Sequence, residues 1–451
     1  MDPHMKPVLE VQAALWSGKT SSRELTEHYL NRINDPNGEG IRTFLVVHDE
    51  AALAAADASD ALRSNGIVPS PLAGIPISLK DLIDEQGQQT LAGSKSMEET
   101  PPALKDAVVT ARLRAAGAII VGRTNLTEFA YSGLGLNCHF DTPRNPWDRK
   151  AGRIPGGSSS GAGVAVADGM CTVSIGTDTG GSVRIPAALN GITGFKTTTG
   201  RIPTTGVYPL SSTLDSIGPL APTVSCCLIT DAILDDRSPI IPKELPIRSL
   251  RFGVPQDYVL DNLDRHVTDT FEQTIYKLEK AGAIVKNINS SMYQEIPSAM
   301  PNGGILGAEA FAHHRSRMDK EKARYDPRVW IRIKRGEQLS AADLIECHQL
   351  RKDIQSRAAE MAMQFDALLI PSCPTIAPAI AALDADEDAY GAANILMLRN
   401  TTVSNFLDTC ALSIPCHAPG SAPVGLMIMA ATRHDEWLAR IGLAVEKALA
   451  H

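Results

Sequence analysis

The spacing of hydrophobic residues changes repeatedly along the chain between the period of a helix and that of a strand. Helical spacing dominates the first 66 residues, where Ser21–Glu24 forms a capping box ahead of an apolar stripe. Short apolar runs with strand character begin at Ile75 and then alternate with helical segments towards the C-terminus. This alternation predicts an α/β fold, in which helices cover a sheet.

The same pattern gives bounds for individual elements. Predicted helices span 8–16, 21–33, 50–63, 107–116, 162–167, 267–281, 341–363 and 435–449. Predicted strands span 75–79, 119–121, 172–175, 251–254, 284–288, 367–370, 412–414 and 426–429. The region 297–336 has no clear period, and we interpret it as a helical excursion over the core. The prolines of 239–246 indicate a surface connection.

Charge and composition exclude several classes of function. The 451 residues carry a net charge of −8 with a pI near 5.8, so the chain lacks a basic field for nucleic acid or an anionic membrane. No apolar stretch approaches the roughly 20 residues that cross a bilayer, and no secretion signal opens the sequence. We therefore expect a cytoplasmic protein, with Met5 as its natural start.

Cysteine and histidine residues do not form a recognisable reactive pattern. The eight cysteines include no C-x-x-C pair, which is typical of thiols in a reducing compartment. Cys138, Cys347 and Cys416 each precede a histidine, but sequence neighbours point away from each other and make poor catalytic pairs. The histidines lack the helical spacing of a metal site, so we expect no metal and no other cofactor.

One lysine and two serines stand in settings that indicate chemistry. Lys80 ends an apolar run, where burial would lower its pKa and leave a neutral amine able to accept a proton. Ser158 lies in the Gly/Ser loop 156–161, and Ser182 follows Gly180–Gly181, where tightly folded backbone can direct several N–H groups at one oxyanion. Together these residues indicate a hydrolase whose base is a lysine.

Ordinary structural explanations exist for each of these residues alone. Lysines often end strands with the ammonium in water, serines are common in glycine-rich turns, and Ser182 could cap a following helix. Residues 157–161 also fit the G-x-S-x-G nucleophile elbow, which would make Ser159 the nucleophile of an α/β-hydrolase-type esterase. That elbow needs a strand directly before it, and 149–155 is not strand-like. A phosphate-binding loop is weaker still, because its glycine motifs are absent.

The sequence resembles the amidase signature family of Ser-cisSer-Lys amidohydrolases. The resemblance rests on motifs at 71–81, 121–125, 144–147, 156–161 and 176–187, and it continues through 365–371 and 423–426. It implies an α/β fold with a large mixed β-sheet covered by helices on both faces. It also implies one amidase domain over 1–451, with N-terminal helices in 1–66, a signature core in 67–235, and a C-terminal part in 236–451 that completes the sheet and substrate pocket.

The resemblance further implies a role for each site residue. Ser182 would attack the substrate carbonyl and carry the acyl group, Ser158 would bridge across a cis peptide bond from Gly157, and Lys80 would be the base. The oxyanion hole would be formed by the backbone amides of Thr179, Gly180, Gly181 and Ser182. A supporting structural pair would be formed by Asp178 and Arg184. The leaving-group side of the pocket would be lined by Ala130 and Ser132.

Two functions within the family remain open. Residues 191–201 are similar to stand-alone indoleacetamide hydrolases and 91–95 to biuret-type hydrolases. This favours a free-standing amidase that converts a carboxylic or ureido-type amide to an acid and ammonia or an amine. The alternative is the A subunit of glutamyl-tRNA amidotransferase, which releases ammonia from glutamine within a complex.

The expected partner is a small-molecule amide, with no nucleic acid and no membrane, and a homodimer is left open. One basic group would either face a carboxylate-bearing substrate or, more commonly for such runs, form a solvated helix face. Its members are His313, His314, Arg315, Arg317, Arg328 and Arg332.

Overall fold

Eleven strands of the computed structural model, which describes residues 6–450, join in one sheet. The predicted start at Met5 lies outside these described residues. The strands are β1 (Phe44–Val47), β2 (Pro76–Lys80), β3 (Ile119–Thr124), β4 (Val173–Asp178), β5 (Thr193–Lys196), β6 (Ser216–Ala221), β7 (Arg251–Pro255), β8 (Ile284–Ile288), β9 (Ala367–Pro371), β10 (Cys410–Pro415) and β11 (Gly425–Ala430).

The sheet is mixed, as the resemblance implies. Its strand order is β1-β3-β2-β4-β6-β5-β10-β11-β9-β7-β8. Neighbours are parallel in the β3-β2-β4 group and in the β9-β7-β8 group. Every other neighbouring pair is antiparallel. The carboxyl ends of the parallel neighbours β2 and β4 therefore lie side by side.

Fifteen α-helices surround this sheet within the described residues. They are α1 (Val8–Trp16), α2 (Ser22–Ile33), α3 (Gly40–Thr43), α4 (Asp49–Ser64), α5 (Val108–Ala115), α6 (Ser160–Ala167), α7 (Arg184–Asn190), α8 (Val224–Leu234), α9 (Arg265–Lys280), α10 (Gly304–Met318), α11 (Pro327–Arg335), α12 (Ala341–Ala362), α13 (Ile380–Asp384), α14 (Glu387–Phe406) and α15 (Asp435–Leu449). None of the helices among residues 6–450 is long and apolar enough to cross a membrane.

Helices cover both faces of the sheet because its strands are apolar on both sides. In β11, Leu426 and Ile428 belong to the core cluster that also contains residues of α8 and α15. The intervening Met427 and Met429 belong to a second cluster with residues of α12 and α14. This two-residue alternation is that of a strand buried on both faces.

Most predicted elements are present, with bounds that differ by a few residues. The capping box is confirmed, since the Ser21 side chain accepts from the Glu24 N–H and the Glu24 carboxylate accepts from the Ser21 N–H. The predicted excursion at 297–336 contains α10 and α11. The sequence pattern missed β1, β5, β6, α8 and α14, and β1 shows that 1–66 is not purely helical. The sheet takes strands from all three predicted parts of the chain.

The antiparallel pairing of β5 and β6 requires glycine at position 218. A Cβ atom there would lie 1.9 Å from the Phe195 carbonyl oxygen, which is backbone and cannot move aside. We predict that Gly218→Ala lowers the free energy of unfolding by about 1–3 kcal/mol. A Cβ atom at Gly391 in α14 would have no other atom within 4 Å. Gly391→Ala should therefore raise the free energy of unfolding by up to about 1 kcal/mol through helix propensity. Urea unfolding midpoints test both changes, and equal midpoints for the two variants would contradict the prediction.

Candidate active site

The site begins where two parallel strands end side by side. Leu79 of β2 is in register with Ile175 of β4, so Lys80 and the last residues of β4 emerge at the same edge of the sheet. Carboxyl ends of parallel strands are common locations for functional side chains in α/β folds. The ends of these two strands thus bring together groups that are almost 100 residues apart in the sequence.

Lys80 is fully buried, with 0% of its surface exposed. Its Nζ donates to Ser158 Oγ at 2.8 Å and to Thr177 Oγ1 at 3.0 Å. Burial lowers the pKa of Lys80 to about 7, and the negative charges of Asp215 and Asp178 only partly oppose that effect. Because its hydrogen-bond partners are neutral hydroxyls, Lys80 can exist as a free amine near neutral pH.

Ser158 and Ser182 come from two loops that contact each other. The peptide bond from Gly157 to Ser158 is cis, as the resemblance implies. The Ser159 N–H donates to the Ser182 carbonyl at 3.3 Å, which joins the loop before α6 to the loop before α7. Ser158 is fully buried against Lys80, whereas Ser182 lines an open cavity. The structure therefore places the three predicted residues in one site.

Asp178 and Arg184 form a fully buried ion pair beneath the loop that contains Ser182. Arg184 Nη2 and Nε donate to the two carboxylate oxygens at 2.9 and 3.0 Å. Asp178 also accepts from the N–H groups of Gly181 and Val183 and from the Asn405 side chain. Burial alone would raise the pKa of Asp178, but the Arg184 charge and these hydrogen bonds hold it well below its ordinary value.

The predicted oxyanion donors are not equivalent in the structure. The Gly181 N–H already donates to Asp178 Oδ1 at 2.9 Å, so this amide is occupied within the loop. The Gly180 carbonyl is turned towards α14, where it accepts from Thr401 Oγ1 at 2.7 Å. The amides of Thr179, Gly180 and Ser182 therefore remain as candidates for the oxyanion hole.

A cavity of about 550 Å³ opens above Ser182. Ala130 and Ser132 line it together with Thr179 and Gly180. The φ of Ala130 is 60°, and the φ of Phe129 before it is also positive. The backbone of this wall of the cavity is therefore tightly turned. The predicted leaving-group residues thus share the cavity with the predicted nucleophile.

The Ser132 hydroxyl is held in a buried network. It donates to Asn394 Oδ1 at 2.8 Å and accepts from the Tyr390 hydroxyl at 2.9 Å. Asn394 also accepts from the Gly133 N–H. Ser132 Oγ also accepts from the Leu134 N–H at 3.2 Å. Because its donor and both acceptor positions are occupied, Ser132 shapes the cavity wall.

Several site residues were missing from the sequence prediction. Thr177 binds Lys80, and its only sequence signal is its position at the end of β4. Asp215 accepts from Thr179 Oγ1 at 2.6 Å, and burial raises its pKa to about 6. It reaches the site because Ser216 pairs with Asp178 across β6 and β4, which no local motif reveals. Asn394 and Asn405 come from α14, which the sequence pattern did not predict.

The rival nucleophile and most of the basic group lie outside the cavity. Ser159 is fully buried, its hydroxyl donates to the Thr177 carbonyl at 3.4 Å, and the preceding residues contain no strand as an elbow would require. Among the six basic residues, Arg332 lines the cavity. Four of the other five contact residues that do not line the cavity. His313 approaches Ser212, His314 packs on Phe129 and Tyr325, Arg317 contacts Met97, and Arg328 pairs with Asp384 and Glu387.

Comparisons with known proteins agree with this geometry. The family model described as Amidase matches residues 24–438. The chain is 37% identical to 2-amino-5-chloromuconic acid deaminase of Comamonas testosteroni, over 88% of this chain and 86% of that protein. It is 33% identical to the glutamyl-tRNA(Gln) amidotransferase A subunit of Roseiflexus sp. (strain RS-1), over 98% and 96%. A crystal structure of an amidase superposes with a TM-score of 0.88 at 29% identity, over 98% of this chain and 99% of that one.

The protonation of Lys80 predicts how the rate of hydrolysis depends on pH. With a pKa of about 7, the amine is protonated and unable to act as a base at lower pH. We predict that kcat/KM for a neutral amide falls about tenfold per pH unit below this value and is constant above it. Asp215→Asn removes a charge that raises the Lys80 pKa, so the inflection should move to lower pH. A profile that is flat from pH 5 to 9 in the folded enzyme would contradict this assignment.

Proposed function

The chain belongs to the amidase family, whose members hydrolyse C–N bonds, and we propose from this that it cleaves a small-molecule amide through an acyl-enzyme on Ser182. One observation carries the proposal. The buried Lys80 Nζ lies 2.8 Å from Ser158 Oγ, in a loop that contacts the Ser182 backbone at the base of the cavity. A lysine without a carboxylate partner, held against a serine, is suited to accept a proton.

In the proposed acylation, Ser182 Oγ attacks the amide carbon as its proton passes through Ser158 to Lys80. The Ser182 proton goes to Ser158 Oγ, and the Ser158 proton goes to Lys80 Nζ. The carbonyl oxygen becomes an oxyanion, which the free amides of Thr179, Gly180 and Ser182 would stabilise. The C–N bond then breaks when the relay returns the proton to the leaving nitrogen.

In the proposed deacylation, water replaces the departed ammonia or amine. The same relay takes a proton from the attacking water and returns it to Ser182 as the ester bond breaks. The carboxylic acid leaves and the enzyme is restored. The site thus needs a single base that gains and loses one proton in each half-reaction.

A second candidate is suggested by the relative that is 37% identical. Its name describes the removal of ammonia from an amino-muconic acid. An unsaturated amino diacid should therefore be assayed as a substrate, with release of ammonia as the measurement. The relatives that are A subunits of glutamyl-tRNA amidotransferase suggest glutamine as a further member. Ammonia release by the purified chain without any partner would favour a free-standing enzyme over a component of such a complex.

Covalent labelling tests the identity of the nucleophile. We predict that a phenylmethylsulfonyl fluoride or a phosphonate labels Ser182 and abolishes amide hydrolysis, since Ser182 alone of the three neighbouring serines lines the cavity. Peptide mapping of the labelled protein identifies the residue. Ser182→Ala should remove both the label and the activity, whereas a label on Ser159 would exclude the proposed mechanism.

Two adjacent serines provide a matched test of the proton relay. Ser158→Ala removes one of the two hydroxyls that accept from Lys80 and should lower kcat for an amide by about 10²–10⁴-fold. Ser159→Ala removes an equally buried hydroxyl that donates to the Thr177 carbonyl, and should leave kcat within a few-fold. A matched ester should lose less in Ser158→Ala, because an alkoxide needs less protonation to leave than an amine does. Equal effects in the two variants, or on the two substrates, would reject the relay.

A further inference from the structure

The cavity above Ser182 is lined by four arginines and by no aspartate or glutamate. Its basic residues are Arg332, Arg335, Arg351 and Arg399. Within the described part of the chain, the hydrogen bonds of Arg332, Arg351 and Arg399 go to carbonyl or amide oxygens. The cavity therefore carries positive charge that no lining side chain neutralises.

Arg351 is fixed next to the support of the nucleophile loop. From α12, its Nε donates to the Phe406 carbonyl at 2.8 Å and its Nη2 to the Asn405 carbonyl at 3.3 Å. The side chain of the same Asn405 donates to Asp178 Oδ1 at 2.8 Å. Arg351 is thus one residue removed from the ion pair that holds the Ser182 loop.

Arg399 lines the same cavity and is also fixed by hydrogen bonds. Its guanidinium donates to Asn400 Oδ1 and to the carbonyls of Asp261 and Val259, at 3.0, 2.5 and 3.2 Å. Thr402, three residues further along the same side of α14, donates to the Gly180 carbonyl at 3.4 Å. Arg399, Thr402 and Ser182 all line the cavity.

Both guanidiniums retain N–H groups that could bind a ligand. A guanidinium has five N–H donors. Arg351 uses two of them and Arg399 uses three in the hydrogen bonds described above, which leaves three and two. A bidentate bond to a carboxylate needs two.

Partial burial disfavours the charged forms of these two guanidiniums. It lowers the pKa of both Arg351 and Arg399, although nearby acidic groups partly oppose the effect. Neutral carbonyls orient a guanidinium without cancelling its charge, so the groups are preorganised for an anion before it arrives. A bound carboxylate would offset this desolvation cost.

We propose that the substrate of Ser182 carries a carboxylate, that Arg351 and Arg399 bind this carboxylate, and that Arg332 and Arg335 add positive potential around it. The inference rests on the proposed function for the bond that reacts, but the recognition of the anion can be measured without turnover. Arg332 is half-buried and Arg335 is exposed, so the positive potential extends from the nucleophile to the solvent.

Pairs of isosteric amides, one charged and one neutral in each pair, test this selectivity. Succinamate, glutaramate and adipamate carry a carboxylate, and in their neutral partners, such as 5-methylhexanamide for glutaramate, an isopropyl group replaces it. We expect kcat/KM to favour the best carboxylate over its neutral partner by at least about 10- to 100-fold. Arg351→Met or Arg399→Met should remove most of that preference, while turnover of the neutral amide changes less.

Arg328→Met is the matched control, because Arg328 lies on α11 near Arg332 but pairs with Asp384 and Glu387. It should leave the preference unchanged. Arg399→Lys serves as a milder variant if Arg399→Met has a lowered melting temperature, and it should retain part of the preference. Equal loss in Arg328→Met and Arg399→Met would overturn the assignment of the site.

Binding to Ser182→Ala separates this proposal from the proposed function. Calorimetry should show that the variant binds glutaramate or another carboxylate of the series at least tenfold more tightly than its neutral partner. Failure of Ser182 labelling together with such binding would reject the mechanism but support the anion site. Equal affinities within every pair, or no binding by any carboxylate of the series, would overturn the anion site even if Ser182 is the nucleophile.

Discussion

The buried ion pair of Asp178 and Arg184 is the interaction on which the site depends. It joins the end of β4, the loop of Ser182, the start of α7 and the last turns of α14, because Arg184 also donates to the Thr401 carbonyl and to Asn405. Removing one partner of such a pair typically costs about 3–5 kcal/mol, since the other charge stays buried and unpaired. The position of the loop that contains Ser182 is therefore tied to the stability of this ion pair.

The same low-dielectric environment has opposite effects on two neighbouring groups. Asp178 keeps its charge because a guanidinium and several N–H groups surround it. Lys80 is equally buried, but hydroxyls are its hydrogen-bond partners, so the neutral amine becomes accessible near pH 7. Burial thus produces a fixed support in one position and a proton acceptor in the other, and the difference lies in whether a full opposite charge is adjacent.

The sequence predicted the parts of the fold that local patterns determine. Lys80, Ser158 and Ser182 stand in distinctive motifs, and strands such as β9 and β11 are short apolar runs. By contrast, α14 escaped prediction because its buried face includes Asn394, Asn400, Thr401, Ser404 and Asn405, so polar and apolar residues do not segregate along it. These amides and hydroxyls hold the loop that contains Ser182 and the wall of the cavity through hydrogen bonds. The contributions of Asp215, Arg351 and Arg399 depend on which distant segments meet, and spacing along the chain does not contain that information.

The strand order has a consequence for how the protein is made on the ribosome. β5 ends at Lys196, and its neighbour β10 begins at Cys410, about 210 residues later. At about 5–20 residues per second, synthesis leaves one side of β5 without its partner for roughly 10–40 s. During this interval the nascent chain presents an open sheet edge, which is a surface prone to pairing with other chains. A nascent chain that has not yet reached α14 contains Lys80, Ser158 and Ser182 but not Asn405, so its Asp178 carboxylate lacks one of the hydrogen-bond donors that hold it in the finished sheet.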